Sequence, residues 1–213
     1  AQALEWSVAP PRVMDRSDAA RPRWFAGGRL NTCHNAVDRH VLAGFGDRAA
    51  LVYDRPDAGP WEFRGRERVH TFSAVMSWAG CDRLSRIAHR LRLPDREQHW
   101  REVADGMRDR ILERAWNERR GAFVASFDDD HLDASVLLLP ELGLLPATDP
   151  RFLATLDVIG RELRDGDLVF RYRHEDDFGT PQTAFATCAF WYVNALAAAG
   201  FVEEAREHFT RLL

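Results

Sequence analysis

The sequence predicts a mainly α-helical protein in which antiparallel helix hairpins stack side by side after a small irregular α+β segment. Two observations predict this class. Apolar side chains recur at helical spacing from residue 71 to the end of the chain, whereas the segment before Pro56 holds paired prolines, paired glycines and one short apolar run. The change of pattern near Pro56 to Pro60 divides the chain into segments 1–55 and 56–213.

The first segment combines one predicted helix with one predicted strand. The helix covers 31–42, with Asn31 or Thr32 as its N-cap. The strand is the apolar run from Ala49 to Tyr53. Because a segment this short has little apolar periodicity and buries little surface, it is expected to need a partner surface in order to fold.

The second segment is predicted to be a succession of helices. In the first helix, from Thr71 to Leu93, apolar residues form one face; they are Phe72, Val75, Met76, Ala79, Leu84, Ile87 and Leu91. Pro94 and Asp95 end that helix and begin the next, which continues to Ala115. An extended stretch is predicted over 121–127. Further helices are predicted over Leu132 to Leu139, Asp149 to Leu163, Pro181 to Ala199 and Val202 to Leu213.

Composition excludes several classes of function. The 29 basic and 33 acidic residues give a formal net charge of -4, so no broad basic surface for nucleic acid is expected. Every basic residue is arginine, and a sequence without lysine excludes Schiff-base catalysis, a Walker-type phosphate loop and a pyridoxal phosphate anchor. No apolar stretch approaches the roughly 20 residues of a membrane span. Because no basic start and apolar block are seen at the amino terminus, a cytoplasmic location is expected.

Neither a metal nor a cofactor is predicted. The three cysteines lack C-x-x-C spacing. His34 and His40 lie at poor helical spacing for a shared ligand. The acidic run 128–130 lacks the ligand pattern of an EF-hand and is interpreted as a solvated turn. The expected chemistry therefore uses protein side chains alone.

Two groups of carboxylates flanked by aromatic residues suit the hydrolysis of a glycosidic bond. That reaction needs a proton donor beside the leaving oxygen and a second carboxylate at the anomeric carbon, with rings that stack on sugar faces. Glu62 lies between Trp61 and Phe63, an apolar setting that favours the protonated acid. The second group is Glu175, Asp176 and Asp177, framed by Phe170, Tyr172 and Phe178. Carboxylates between aromatic residues also occur as surface caps or ion pairs, so composition leaves that alternative open.

Sequence motifs continue in order along the second segment. They begin with Gly59-Pro60-Trp61-Glu62-Phe63-Arg64-Gly65, followed by His70-Thr71-Phe72-Ser73, Met76-Ser77-Trp78, Cys81-Asp82-Arg83, Leu132-Asp133-Ala134-Ser135, Leu139-Pro140-Glu141, Phe170-Arg171-Tyr172 and Trp191-Tyr192. Over 56–213 the chain resembles glycoside hydrolase family 15, which contains glucoamylases and trehalase-like enzymes. The resemblance implies an (α/α)6 barrel, of which this chain supplies part, and an inverting mechanism with the active site in a pocket at one barrel end.

The resemblance also implies roles for individual residues. It places the proton donor on Glu62. The expected substrate-binding residues are Trp61, Arg64, Asp133, Arg171 and Tyr172. In many members the catalytic base is a glutamate just before an Ala-Phe-x-x-Cys-x-Phe-Trp run, and Gln182 takes that position here. Since an amide cannot accept a proton from water as a carboxylate does, the base is expected to be Asp177 first and then Asp176 or Glu175, or to be lacking.

The first segment resembles a different family. The residues from Trp24 to His40, together with Ala50 to Asp54, are similar to the N-terminal cap region of acetyl- and propionyl-CoA synthetases. Nothing after them matches the adenylate-forming core, and the lysine that such enzymes use for adenylation is absent. Acyl-CoA synthesis is therefore excluded for this chain, and residues 1–55 are expected to cover a surface.

The resemblance implies hydrolysis of α-linked glucosides, of glucoamylase or trehalase type, with an α-glucoside or oligosaccharide as the substrate. A twelve-helix barrel needs roughly 400 residues, so segment 56–213 supplies about five or six helices. Such a part exposes apolar helix edges, through which the chain could self-associate. The alternative is a non-catalytic helical interaction module, or a fusion fragment without selected activity.

Overall fold

The computed structural model describes residues 4–15, 17, 23–32, 34–45, 68–177 and 179–213. The chain divides into two units, 1–52 and 53–213, and each is described by itself. The strand predicted from Ala49 to Tyr53 lies outside the described residues. In the described part of the chain, no helix combines the length and the apolar character needed to cross a membrane.

A short hairpin and a helical stretch make up the described part of the first unit. The elements are β1 (Met14–Asp15), its antiparallel partner β2 (Arg23–Trp24), and two π-helical turns, His34–Asp38 and Val41–Phe45. The first turn lies within 31–42, which the sequence predicts to be helical, and the second begins at Val41 and extends past the predicted end. The side chain of Asn31 accepts a hydrogen bond from the His34 amide at 3.0 Å, which confirms Asn31 as the cap.

Close packing in the first unit requires a glycine at position 28. The rings of Trp6 and Phe25 lie 5.4 Å apart between centroids. A Cβ atom on Gly28 would lie 2.8 Å from the Trp6 ring and 3.0 Å from the Phe25 carbonyl oxygen. A larger residue would therefore push the tryptophan away from its aromatic partner.

The second unit alternates helices with short β-hairpins. The helices are α1 (Thr71–Arg90), α2 (Pro94–Arg114), a 3₁₀ helix (Ala134–Leu138) that continues into α3 (Leu139–Leu142), α4 (Pro150–Glu162), α5 (Ala186–Ala198) and α6 (Val202–Leu212). The hairpins pair β3 (Trp116–Asn117) with β4 (Ala122–Phe123), and β5 (Arg164–Asp165) with β6 (Leu168–Val169). This architecture confirms the mainly helical class.

Helices α1 and α2 form an antiparallel hairpin. The turn between them closes with a hydrogen bond from the Leu93 amide to the Ala88 carbonyl at 2.9 Å. Pro94 is the first residue of α2, a position at which the missing amide hydrogen costs no helical bond. Across the hairpin, the Ser85 hydroxyl donates to the Glu97 carbonyl at 3.2 Å. The predicted break at Pro94 is therefore confirmed.

A buried carboxylate ties these two helices together. Asp82 on α1 is 2% exposed. Its Oδ1 accepts from Arg101 of α2 at 3.0 Å, and its Oδ2 lies 3.3 Å from Arg83 and 2.9 Å from Arg86. Because a buried charge is costly unless it is paired, these arginines are structural partners of Asp82.

The core of the second unit lies where α4 packs against β4, α5 and the 3₁₀ helix. Its largest fully buried side chains include Ile111, Phe123, Leu139, Leu144, Phe152 and Ile159. The Thr155 hydroxyl accepts from the Phe123 amide at 2.9 Å and donates to the Arg151 carbonyl at 2.7 Å. The hydroxyl group thus has both partners inside the core and joins α4 to β4.

The predicted start of α5 at Pro181 is wrong, because the helix begins at Ala186. The Phe185 amide instead donates to the Val169 carbonyl of β6 at 3.1 Å. Phe185 accordingly has extended dihedral angles, with φ -109° and ψ 112°. Residues 181–185 therefore lie outside the helix, and Phe185 lies beside β6.

We expect Gly160→Ala to destabilise the protein by about 1–3 kcal/mol. A glycine to alanine change inside a helix normally stabilises it by about 0.5–1 kcal/mol. Here the new Cβ atom would lie 2.5 Å from the hydroxyl oxygen of Tyr192 and 3.3 Å from its Cζ. Tyr192 is buried and packs edge-on against the His208 ring at 5.8 Å, so it cannot move away freely.

Urea unfolding measures the effect. Gly106→Ala in α2 is the matched control, because nothing lies within 4 Å of its added Cβ atom, and it should stabilise the protein. Removing the hydroxyl with Tyr192→Phe should restore much of the stability that Gly160→Ala loses. A stabilising Gly160→Ala would contradict the close approach of α4 and α5.

Candidate functional site

A cavity of about 400 Å³ lies beside the segment that joins β6 to α5. Its described lining consists of Arg171, Tyr172, Asp176, Gly179, Thr180, Pro181, Gln182, Thr183 and Phe185. Three of the predicted site residues therefore line one cavity, namely Arg171, Tyr172 and Asp176. A guanidinium, a carboxylate and aromatic rings together suit a small ligand that has both polar groups and apolar faces.

Backbone hydrogen bonds fix the course of the lining segment. The Ala134 amide donates to the Arg171 carbonyl at 2.7 Å. Asp176 and Gly179 each donate to the other's carbonyl, at 3.0 and 3.2 Å. Gly179 has φ +98°, which residues with a Cβ atom rarely adopt, so a glycine is what allows the loop to close there.

Arg171 is held by a nearly buried ion pair. Its Nε donates to Oδ1 of Asp133 at 2.7 Å, and the two side chains are 10% and 12% exposed. Asp133 also caps the 3₁₀ helix by accepting from the Ser135 amide at 2.8 Å. The Trp191 ring centre lies 5.8 Å from Cζ of Arg171. The structure thus brings Asp133 and Arg171 together, and of the two Arg171 lines the cavity.

Asp176 is oriented by Tyr172. The Tyr172 hydroxyl donates to Oδ2 of Asp176 at 2.6 Å. Burial raises the pKa of Tyr172, and the adjacent Asp176 carboxylate raises it further. The phenol therefore stays protonated at physiological pH and remains a hydrogen-bond donor to the carboxylate.

The structure separates the two aspartates that the sequence proposes as the base. Asp176 is half-buried and lines the cavity. Asp177 is exposed and is not among the lining residues. For chemistry inside this cavity, the geometry favours Asp176 over Asp177.

Gln182 lines the same cavity. Its Nε2 donates to the Thr180 carbonyl at 2.9 Å. An uncharged amide thus lies in the cavity wall at the position that the resemblance reserves for a glutamate.

Three predicted site residues cannot be placed. Trp61, Glu62 and Arg64 lie outside the described residues, so their roles stay predictions.

Sequence reasoning missed a stack of rings next to this site. The ring centres of Tyr172 and His174 lie 4.6 Å apart, and those of His174 and His131 lie 4.5 Å apart. The spacing of two between Tyr172 and His174 is a local signal, since it places both on one face of an extended segment. The approach of His131 from another loop has no such signal.

The acidic turn after β4 is a candidate for metal binding, because three possible ligand side chains lie close together there. The ligand atoms of Asp129, Asp130 and His131 lie within 4.8 Å of one another. However, Asp129 and His131 already bond to each other at 2.7 Å, and Asp130 accepts from Arg119 at 2.6 Å. We therefore describe the turn as charge-paired and assign no metal to it.

This turn predicts a pH dependence of stability. Burial opposes the ionisation of Asp129, but hydrogen bonds from the Ser126 hydroxyl, the His131 ring and the Asp130 amide outweigh it and lower its pKa to about 2. A carboxyl whose pKa is lowered by folding stabilises the protein above its unfolded-state pKa. That contribution is lost as the pH falls from about 4 to about 2.

We expect Asp129→Asn to lower the free energy of unfolding at pH 7 by about 2 kcal/mol, and the difference from the unmodified protein to shrink below pH 4. Asp130→Asn is the matched control, because its side chain is 50% exposed, and it should change stability by less than about 0.5 kcal/mol. Urea unfolding at pH 7 and pH 3 measures both. A difference for Asp129→Asn that is equally large at pH 3 contradicts the lowered pKa.

Most of the chain is similar to one family of known proteins. The model of glycosyl hydrolases family 15 matches residues 48–213. The trehalase of Mycobacterium tuberculosis is 40% identical over 170 residues, which cover 78% of this chain and 25% of that protein. The trehalase of Thermoplasma volcanium is 35% identical over 183 residues, which cover 85% of this chain and 29% of that protein. The chain thus spans about a quarter to a third of these relatives.

The start of the chain is similar to another family. The model of the acetyl-coenzyme A synthetase N-terminus matches residues 1–36. The acetyl-coenzyme A synthetase of Mycobacterium bovis is 44% identical over 59 residues, which cover 28% of this chain and 9% of that protein. Both resemblances drawn from the sequence are therefore confirmed.

Solved structures of a glycosidase share the fold. The wild type and a variant in complex with glucose each give a TM-score of 0.63 at 18% identity. The alignment covers 88% of this chain and 56% of the glycosidase chain.

Proposed function

This chain belongs to glycosyl hydrolases family 15, and from that premise we propose that its second unit binds an α-linked glucoside and hydrolyses it with inversion. The observation that carries the proposal is the cavity in which Arg171, Tyr172 and Asp176 meet. A guanidinium donates hydrogen bonds to sugar hydroxyls, and aromatic rings pack on the faces of a pyranose.

In this proposal Asp176 is the general base. An inverting hydrolase uses one carboxylate to remove a proton from the attacking water while an acid on the other side protonates the leaving oxygen. Asp176 suits the first role because it lines the cavity and its carboxylate is held by the Tyr172 hydroxyl at 2.6 Å. Water attacks the anomeric carbon as Asp176 accepts its proton, and the glycosidic C–O bond breaks as the leaving oxygen is protonated.

Glu62 is the proposed acid. This role follows from its match to the proton donor of the family within the Trp61-Glu62-Phe63-Arg64-Gly65 string. Aromatic neighbours in sequence support it, since an apolar setting keeps a carboxyl protonated until the leaving group takes the proton.

A glucosyl unit is the proposed ligand. Two relatives at 35% and 40% identity are trehalases, which favours trehalose as the first substrate to test. A glycosidase of similar fold was solved with glucose, which supports a glucosyl unit as the ligand. Maltose and starch represent the glucoamylase-type alternative.

The test is glucose release from trehalose, maltose and starch by the purified chain, with the anomer of the first product read by proton NMR. Inversion at an α-linkage yields one β-glucose for each bond cleaved. Release of β-glucose from one of these substrates supports the proposal. The proposal is overturned if the chain neither hydrolyses nor binds these sugars. Inversion is contradicted if the glucose whose anomeric carbon is attacked is released as the α-anomer.

A second candidate is a helical interaction module. Large apolar side chains on the last two helices and between them are exposed: Phe190 on α5 is 39%, Phe209 on α6 43% and Phe201, just before α6, 48% exposed. The Phe190 and Phe209 rings pack edge-on at 6.3 Å, so they form one aromatic patch. Sedimentation velocity of the chain and of its Phe209→Ser variant tests this candidate, since pairing through the patch should be lost in the variant. A monomeric unmodified chain contradicts it.

For the first unit we infer that it covers a protein surface and has no catalytic role. Residues 1–36 match the model of the acetyl-coenzyme A synthetase N-terminus. The adenylation lysine expected of such enzymes has no counterpart in a sequence without lysine.

A further inference from the structure

We propose that Asp133 is a positioning residue that acts through Arg171, and that Arg171 is the group that binds the sugar hydroxyls. The inference rests on the proposed function, because its ligand is the sugar in the cavity. It departs from the sequence prediction, which places Asp133 among the residues that bind substrate directly.

Asp133 and Arg171 face different spaces. Arg171 lines the cavity of about 400 Å³. Asp133 lines a separate space of about 30 Å³, together with Ser126, Asp129 and His131. A space of that size admits a water molecule and excludes a sugar. Asp133 is therefore outside the described lining of the cavity, and it contacts Arg171, which is part of that lining.

The contact between the two side chains fixes the guanidinium plane. The N–H groups of arginine form a rigid planar fork, so one short bond from Nε sets the direction of the others. That bond is 2.7 Å long. Asp133 is fixed in turn, because its Oδ1 also accepts from the Ser135 amide and the Ala134 amide bonds to the Arg171 carbonyl.

Charge balance gives Asp133 a second effect on Arg171. Both side chains are nearly buried, and a buried guanidinium is stable beside a negative charge. The neighbouring Cys188 does not supply that charge, since burial raises the pKa of its thiol to about 12. The Trp191 ring offers a quadrupole at 5.8 Å, which is a weaker partner than a carboxylate.

Asp133→Asn separates positioning from folding. Both bonds end on Oδ1, so the asparagine oxygen can still accept from the Ser135 amide and cap the 3₁₀ helix. Because the neutral oxygen lacks the carboxylate charge, it holds the Arg171 Nε–H more weakly. Asp149→Asn is the matched control. Asp149 caps α4 through the Arg151 amide at 2.9 Å and pairs with the Arg151 side chain at 3.0 Å, and it is not among the cavity-lining residues.

Three measurements are made on the full chain: the Kd of trehalose and glucose by calorimetry, KM and kcat for trehalose, and the solvent exchange of the Arg171 Nε–H group by NMR. We expect Asp133→Asn to raise Kd and KM about tenfold, with a smaller change in kcat. It should also speed the exchange of the Arg171 Nε–H. Asp149→Asn should leave all three unchanged.

The positioning role is overturned if Asp133→Asn keeps a slowly exchanging Arg171 Nε–H, or if it weakens sugar binding no more than Asp149→Asn does. Failure of the proposed function looks different. In that case the unmodified chain neither binds nor hydrolyses the sugars, while the Nε–H exchange still decides whether Asp133 holds Arg171.

Discussion

Replacing Asp176 by asparagine is expected to lower kcat for glucose release from trehalose by about 10²–10⁴-fold. Asparagine has the same shape and can still accept the hydrogen bond that the Tyr172 hydroxyl donates at 2.6 Å, so the cavity wall is kept. It cannot take the proton of the attacking water. A coupled glucose assay measures the loss, and thermal unfolding should show an unchanged midpoint.

Two companion variants sharpen this prediction. Asp177→Asn should retain activity, because Asp177 is exposed and outside the described cavity lining. Gln182→Glu places a carboxylate in the same wall as Asp176. An active Asp176→Asn variant contradicts Asp176 as the base of this chain. A rise in activity in Gln182→Glu would in addition show that a carboxylate at position 182 can act as a base.

Glu62→Gln is also expected to lower glucose release from trehalose by about 10²–10⁴-fold, because the leaving oxygen then has no proton donor. The leaving group distinguishes an acid from a structural residue. A 4-nitrophenyl leaving group departs with little protonation, so the variant should lose far less activity on 4-nitrophenyl α-glucoside than on trehalose.

Glu113→Gln is the control for this variant. Glu113 is exposed on α2, and its replacement should change neither activity. Equal losses on the two substrates in Glu62→Gln contradict the role of Glu62 as the acid.

The long helices were predictable because their signals are local. The break at Pro94 and the start of α4 next to Asp149 follow from neighbouring residues. The start of α5 was not predictable, because the hydrogen bond from the Phe185 amide to β6 joins separate parts of the chain and overrides the helical spacing. The β5–β6 hairpin was missed, since strands of two residues leave no alternating pattern. Of the β3–β4 hairpin, β4 lies within the stretch predicted to be extended, and β3 was missed.

The sequence predicted which residues belong to the site better than it predicted the contacts between them. Arg171, Tyr172 and Asp176 are close in sequence, and they do line one cavity. The pairing of Arg171 with Asp133 depends on a contact between two separate loops. No spacing in the sequence reports such a contact, which is why Asp133 was expected to touch the substrate. The choice between Asp176 and Asp177 likewise needed the loop that closes at Gly179.

The proposed function requires that the cavity next to β6 holds a glucosyl unit. A crystal structure of the chain with glucose or trehalose tests it most directly. We expect a sugar in this cavity, with its hydroxyls within hydrogen-bond distance of Arg171 and a water or anomeric carbon beside Asp176. A sugar bound elsewhere on the chain, with this cavity empty at saturating concentration, would contradict it.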